Sequence, residues 1–188
     1  MNDPEKIPAI PVVGLAAWSG TGKTSLLKGL IGLFVKQGLR TGVIKHAHHS
    51  FEIDYPGKDS FELRKAGAEQ VLIGSRRRWA LIVEHEHERE LEFEDYLRLI
   101  GHDALDIILV EGFKPESIPK IELHRRSLNK PFLFCGDDSI IAVAIDDARD
   151  LKTTLPVLDL NNHGQIAQFI IDRFLTDHKI SEYQDSKL

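Results

Sequence analysis

Ala17-Trp18-Ser19-Gly20-Thr21-Gly22-Lys23-Thr24 combines the residue types that grip a polyphosphate. Small residues let successive backbone N–H groups curl around phosphate oxygens. A lysine at position 23 reaches the outer phosphates, and the Thr24 hydroxyl is placed to ligate Mg²⁺. Ser25 carries the chain into a helix whose unsatisfied first N–H groups add positive potential. The binding set read from the loop is therefore Ser19, Gly20, Thr21, Gly22, Lys23, Thr24 and Ser25. The first glycine usual in such loops is Ala17 here, a small steric change, because the close backbone approach is expected at Gly20 and Gly22.

An acid is needed on the same edge. The run Asp106-Ile107-Ile108-Leu109-Val110-Glu111 is followed by Gly112, and ligands of open α/β sheets gather outside the carboxyl ends of strands. Glu111 is thus read as the Mg²⁺ acid, acting directly or through water, with a carboxylate capping a strand end in solvent as the alternative. Lys114 follows, placed to meet an anion. A second polar loop, His46-Ala47-His48-His49 through Asp54 and Asp59 to Ser60, begins where another strand stops. Asp54 is read on the γ-phosphate side and Asp59 on the Mg²⁺ side, although Asp59 also suits a helix N-cap. The histidines read as a metal site, a phosphate-facing loop or a solvated loop; two neighbouring imidazoles need further ligands to hold zinc. His85-Glu86-His87-Glu88 reads as solvated surface.

Positioning these residues requires alternating strands and helices. Ile10–Ala16 reads as a buried strand, and Leu26, Leu27, Leu30, Ile31, Phe34 and Val35 recur at helical spacing after it. Thr41–Lys45 completes a β-α-β unit. A helix is expected from about Asp59 to Ala66, then a hairpin of 69–74 and 78–84 around a basic turn. Phe93, Tyr96, Leu97 and Ile100 mark a helix, and the four β-formers before Glu111 imply burial on both sheet faces. Lys120–His124 reads as an alternating strand with Lys120 and His124 on one face, Ser139–Ile145 as an apolar strand, 155–158 as a short one, and Gln165–Leu175 as a closing helix. The expected fold is α/β, a mixed and mostly parallel sheet with helices on both faces.

The 188 residues suffice for one domain over 1–176, with a frayed polar tail at 177–188. A net charge of −5 argues against nucleic acid as a partner. Arg76-Arg77-Arg78 and Arg125-Arg126 read as solvated turns. The lone Cys135 excludes an internal disulfide and fits a reducing compartment, and its flanks, Phe132-Leu133-Phe134, predict a buried small hydrophobe. With neither a cationic, apolar leader nor a run approaching about eighteen apolar residues, the chain is expected in the cytoplasm, away from membranes.

Taken in order, Ser19-Gly20-Thr21-Gly22-Lys23-Thr24, Lys45-His46 with His48-His49, Asp54, Pro56-Gly57-Lys58-Asp59-Ser60, Ala66-Gly67-Ala68, Arg78-Trp79-Ala80-Leu81, Val110-Glu111-Gly112-Phe113-Lys114 and Pro119-Lys120-Ile121-Glu122 resemble the motifs of the MobB family. These are adaptors of molybdopterin-guanine dinucleotide biosynthesis. The resemblance spans roughly residues 10 to 175 and implies a P-loop NTPase fold that binds GTP, hydrolyses it weakly and forms a homodimer. It also implies a partner, the molybdopterin guanylyltransferase that attaches GMP to molybdopterin, and a polar histidine loop that faces phosphate or a molybdopterin-type ligand. The Asn-Lys-x-Asp of signalling GTPases is missing, since Asn129-Lys130 runs into Pro131-Phe132. Asp146, at the end of an apolar strand, is instead the first choice to accept the guanine N1 and N2 hydrogens, with Asp159 next.

Three functions share such a loop. A GTPase would use Lys23, Thr24 and Glu111 on the γ-phosphate with Mg²⁺, and a water placed by the Asp54–Asp59 loop. An adaptor would bind GTP with hydrolysis incidental. A small-molecule kinase would need an arginine-rich lid, where this chain has histidines. The adaptor is preferred, because no obvious general base is present and Arg76, Arg77 and Arg78 serve as arginine fingers only across a dimer.

Overall fold

A computed structural model describes residues 10–47, 51–87, 91–101 and 104–175. Strand β1 (Val12–Ala17) leads through the glycine-containing loop into helix α1 (Lys23–Lys36), and β2 (Thr41–Lys45) follows. Later come α3 (Phe93–Leu99), β5 (Ile107–Glu111), β6 (Lys120–His124), β7 (Ile140–Ile145), β8 (Val157–Asp159) and α4 (His163–Phe174). Between β2 and α3 lie α2 (Asp59–Lys65), β3 (Gln70–Gly74) and β4 (Trp79–Val83). The described residues divide into two compact units, one holding 47–92 and the other the remainder.

In the larger unit six strands run in the order β2-β5-β1-β6-β7-β8, parallel at every pairing. β5 shows why its sequence is continuously apolar: Ile107 and Leu109 join the core under α1 and α4, while Ile108 and Val110 join Phe93 and Leu97 of α3 on the other face. Helices thus cover both faces, as expected, and all six strands aim their carboxyl ends at one edge.

β6 departs from its expected pattern. Ile121 and Leu123 enter the α1/α4 core, but the polar face is buried too, with Lys120 2% and Glu122 0% exposed. The segment around 131–137 covers that face in place of a helix. Leu133 and Phe134 donate their N–H groups to the two oxygens of Glu122 at 2.9 Å each. Phe132 stacks on His124 with ring centres 4.0 Å apart, and the Lys120 ammonium donates to Asp137 at 2.7 Å. Cys135 in this segment is exposed, not buried as its apolar flanks predicted, because the backbone of Leu133 and Phe134 is turned to the carboxylate of Glu122.

In the smaller unit β3 and β4 form the expected antiparallel hairpin. Ser75 organises its basic turn, the hydroxyl accepting N–H bonds from Arg77 and Arg78. Val71 and its partner Ile82 are buried, whereas Leu72, Leu81, Val83 and Trp79 on the opposite face are exposed. The tail at 177–188 lies outside the described residues, as do His48 and His49. No helix among the described residues is long and apolar enough to cross a membrane.

Candidate functional site

The loop between β1 and α1 sits at the carboxyl edge of the sheet, flanked by the ends of β5 and β6. Gly20 and Gly22 adopt φ of 80° and 106°. A Cβ at either would meet nothing closer than 3.8 Å, so the glycines are required by their left-handed backbone rather than by crowding within the chain. Thr21 is buried, and its hydroxyl donates to the Trp18 carbonyl at 2.7 Å, closing the loop on itself. Gly22 is the N-cap of α1 and no side chain caps the helix, leaving its first N–H groups available to an anion. Thr24 and Ser25 are exposed in that first turn.

The Lys23 ammonium lies 3.4 Å from the carbonyl oxygens of Ala17 and Trp18. Burial pulls its pKa below the ordinary 10.5; Glu111 opposes that shift, and the neighbouring Lys114 and Lys45 add to it. Glu111 ends β5 in register with Leu15 of β1 and Lys45 of β2, and the Lys45 ammonium stands 4.0 Å from its carboxylate. Lys114 and Lys130 both approach the face of Trp18, at 4.9 and 5.6 Å from the ring centre. One carboxylate among these lysines leaves a positive edge suited to a polyanion.

The turn after β5 is also built tightly. Gly112 has φ of 107°, and a Cβ there would stand 3.0 Å from the His46 carbonyl oxygen. His46 is packed against Phe113, ring centres 5.0 Å apart, with Tyr96 edge-on to both. Asp146, just beyond β7, accepts the Arg126 N–H at 3.1 Å through Oδ1, while its Oδ2 lies 3.6 Å from Arg125. Asp159 accepts the Asn161 N–H at 2.8 Å.

Residues 12–146 match the family model described as "MobB: Molybdopterin guanine dinucleotide synthesis protein B". The chain belongs to the MobB family. It is 46% identical over 164 residues to the molybdopterin-guanine dinucleotide biosynthesis adapter protein of Escherichia coli strain K12, covering 87% of this chain and 93% of that one. The protein of the same description from Haemophilus influenzae is 41% identical over 162 residues, with coverages of 86% and 88%. Among solved structures, Bacillus subtilis MobB superposes with a TM-score of 0.68 at 20% identity, covering 89% of this chain and 99% of that one. A MobB homolog from Bacillus stearothermophilus gives 0.61 at 23%, with coverages of 86% and 96%. These structural likenesses speak for the fold, an α/β P-loop NTPase fold as expected.

Within this MobB chain the structure gathers Ser19 to Ser25 and Glu111 on one edge, with Asp146 at the end of a further strand of the same sheet. Asp54 and Asp59 belong to the smaller unit. Asp54 is buried and ion-paired with Arg64, whose guanidinium also meets Glu52 and Glu84. That hydrogen bond from Arg64 holds the Asp54 carboxyl below its ordinary pKa. Asp59 is the exposed first residue of α2; the N-cap is Lys58, without a side-chain cap bond. Thr24 and Glu111 are hard oxygen donors of the kind Mg²⁺ takes alongside phosphates and water. No group of three His, Cys, Asp or Glu among the described residues is arranged to hold a metal by itself.

Two residues that meet this edge of the sheet were missed from the sequence. Arg125-Arg126 reads as a solvated turn, yet Arg125 Nε donates to the Thr21 carbonyl at 2.9 Å and Arg126 Nε to the Asp147 carbonyl at 2.6 Å. The signal was positional: a cation directly after a buried strand on the ligand edge.

Proposed function

We propose that this chain is the nucleotide-binding adapter of molybdopterin-guanine dinucleotide synthesis, binding GTP with Mg²⁺ at the β1–α1 loop. The observation that carries the reading is Lys23 at the mouth of a loop with two left-handed glycines, beside Glu111 and within reach of Lys45 and Lys114. The loop N–H groups and the start of α1 orient the phosphates, and Lys23 leaves its carbonyl partners for the outer phosphate oxygens. Thr24 and Glu111 hold Mg²⁺, which neutralises phosphate charge. Asp146 accepts the guanine N1 and N2 hydrogens, its carboxylate having lone pairs beyond those engaged by Arg125 and Arg126.

The E. coli and H. influenzae relatives carry the adapter description, which supports placing this chain in the cytoplasm beside the guanylyltransferase that joins GMP to molybdopterin. Hydrolysis is slow and incidental, and Asp54, paired with Arg64, orders its own loop. A second copy covers the exposed hairpin face bearing Leu72, Trp79, Leu81 and Val83, because an isolated two-stranded sheet is marginal in water. Calorimetric titration with GTP and with ATP in magnesium tests the nucleotide reading. GTP binding that is lost in Lys23→Ala supports it; equal GTP binding by that variant refutes it.

A further inference from the structure

Arg125 joins four parts of the larger unit that the chain itself keeps far apart. Its Nε donates to the Thr21 carbonyl at 2.9 Å, across 104 positions of sequence. Its Nη2 lies 3.8 Å from where a Gly22 Cβ would stand and 3.5 Å from the Asn161 side-chain oxygen, and its Nη1 lies 3.6 Å from Asp146 Oδ2. Arg125 follows β6, Asp146 follows β7 and Asn161 follows β8, the three strands that run outward from β1.

In a planar trans peptide the C=O and the next N–H point in opposite directions. Holding the Thr21 oxygen toward Arg125 therefore turns the Gly22 N–H the other way, away from the guanidinium. That carbonyl would otherwise be free to rotate with the flexible φ of Gly22, and the N–H would rotate with it. The guanidinium is itself fixed by Asp146, whose other oxygen is tied to the Arg126 N–H at 3.1 Å.

We propose that Arg125 is a positioning residue that sets the phosphate loop, and that its pairing with Asp146 links the base side of the site to the phosphate side. The proposal rests on the nucleotide reading above. A base that draws on the Asp146 carboxylate changes the hold on Arg125, and by linkage the loop changes the affinity at Asp146.

The test uses the full chain and two ligands, GTP and inorganic tripolyphosphate, each with magnesium, in calorimetric titration, with thermal midpoints confirming folding. Arg125→Gln is expected to weaken both ligands about tenfold, the scale of one hydrogen bond to a charged group. Arg125→Lys keeps the charge but not the fork of donors, and is expected to weaken both similarly. Asp146→Asn is expected to weaken tripolyphosphate, which has no base to read, and to add little in the presence of Arg125→Gln. If Arg125→Gln does not fold, Arg125→Lys decides.

Unchanged tripolyphosphate affinity in the Arg125 variants overturns the positioning role and the linkage with it, an Asp146→Asn effect confined to GTP overturns the linkage alone, and either result leaves the nucleotide reading standing. Wild-type protein that binds neither ligand overturns the nucleotide reading and the linkage with it.

Discussion

The carboxylate of Glu122 on β6 is sealed from solvent and accepts the backbone N–H of Phe134 at 2.9 Å. Leu133 supplies the matching bond to the other oxygen, so one side chain from the sheet fixes the segment that crosses over it. That segment begins at the phosphate loop, where the Trp18 indole donates to the Pro131 carbonyl at 2.8 Å and Lys130 approaches the same ring. Glu122→Ala leaves two N–H groups without acceptors and is expected to cost about 3 kcal/mol. Glu122→Gln, which keeps only one acceptor oxygen, should cost less. Urea unfolding monitored at Trp18 measures both, and a neutral Glu122→Ala contradicts the account.

Proton linkage at Lys23 gives a sign that is easy to read. Burial lowers its pKa in the protein, and phosphate oxygens placed against the ammonium raise it again. Between those two values the ligand-free lysine is partly deprotonated and the bound one is not, so GTP binding takes up protons at alkaline pH. Titrations near neutrality and just below the ordinary lysine value of 10.5, in buffers of different ionisation heat, should show uptake that is larger at the higher pH. Uptake identical at both pH values shows that another group is responsible.

Acid should loosen the smaller unit. The hydrogen bond from Arg64 keeps the Asp54 carboxyl below its ordinary value of 3.8. A carboxyl with a depressed folded value contributes stability that is fully present above the unfolded value and is lost as pH falls through the folded one. Amide exchange in 51–65 is therefore expected to quicken below pH 4 in the wild type. Asp54→Asn should already show the faster exchange at neutral pH; a variant as protected as the wild type counts against this pairing.

The hairpin offers a test of self-association. Leu72 pairs with Leu81 in register, and both are exposed, beside Trp79 at 73%. Leu81→Asp places a charge where a second copy would press an apolar face, and is expected to shift the protein to monomer in sedimentation without unfolding it. A dimer that persists at micromolar concentration locates the interface elsewhere.

Much of the site was legible because its signals are local. The turn at 17–24 declares itself by small residues between a strand and a helix, and that helix spans Lys23–Lys36 around the periodic leucines and Phe34. The paired faces of β5 follow from four consecutive β-formers, and the hairpin from its alternation around Ser75 and the arginines. His46 was less legible: its ring joins Phe113 and Tyr96, partners more than forty positions away.

By itself, then, the sequence determined which segments are strands and helices, where the glycine-containing turn between β1 and α1 lies and which family the motifs resemble, since each depends on neighbours within a few turns of chain. Tertiary structure alone decided that Lys120, Glu122 and His124 are buried, that Cys135 is exposed and that Arg125 donates to the Thr21 carbonyl. Those outcomes depend on which distant segment arrives over a strand end. A buried carboxylate and a solvated one have the same letter until the groups that satisfy it are in place.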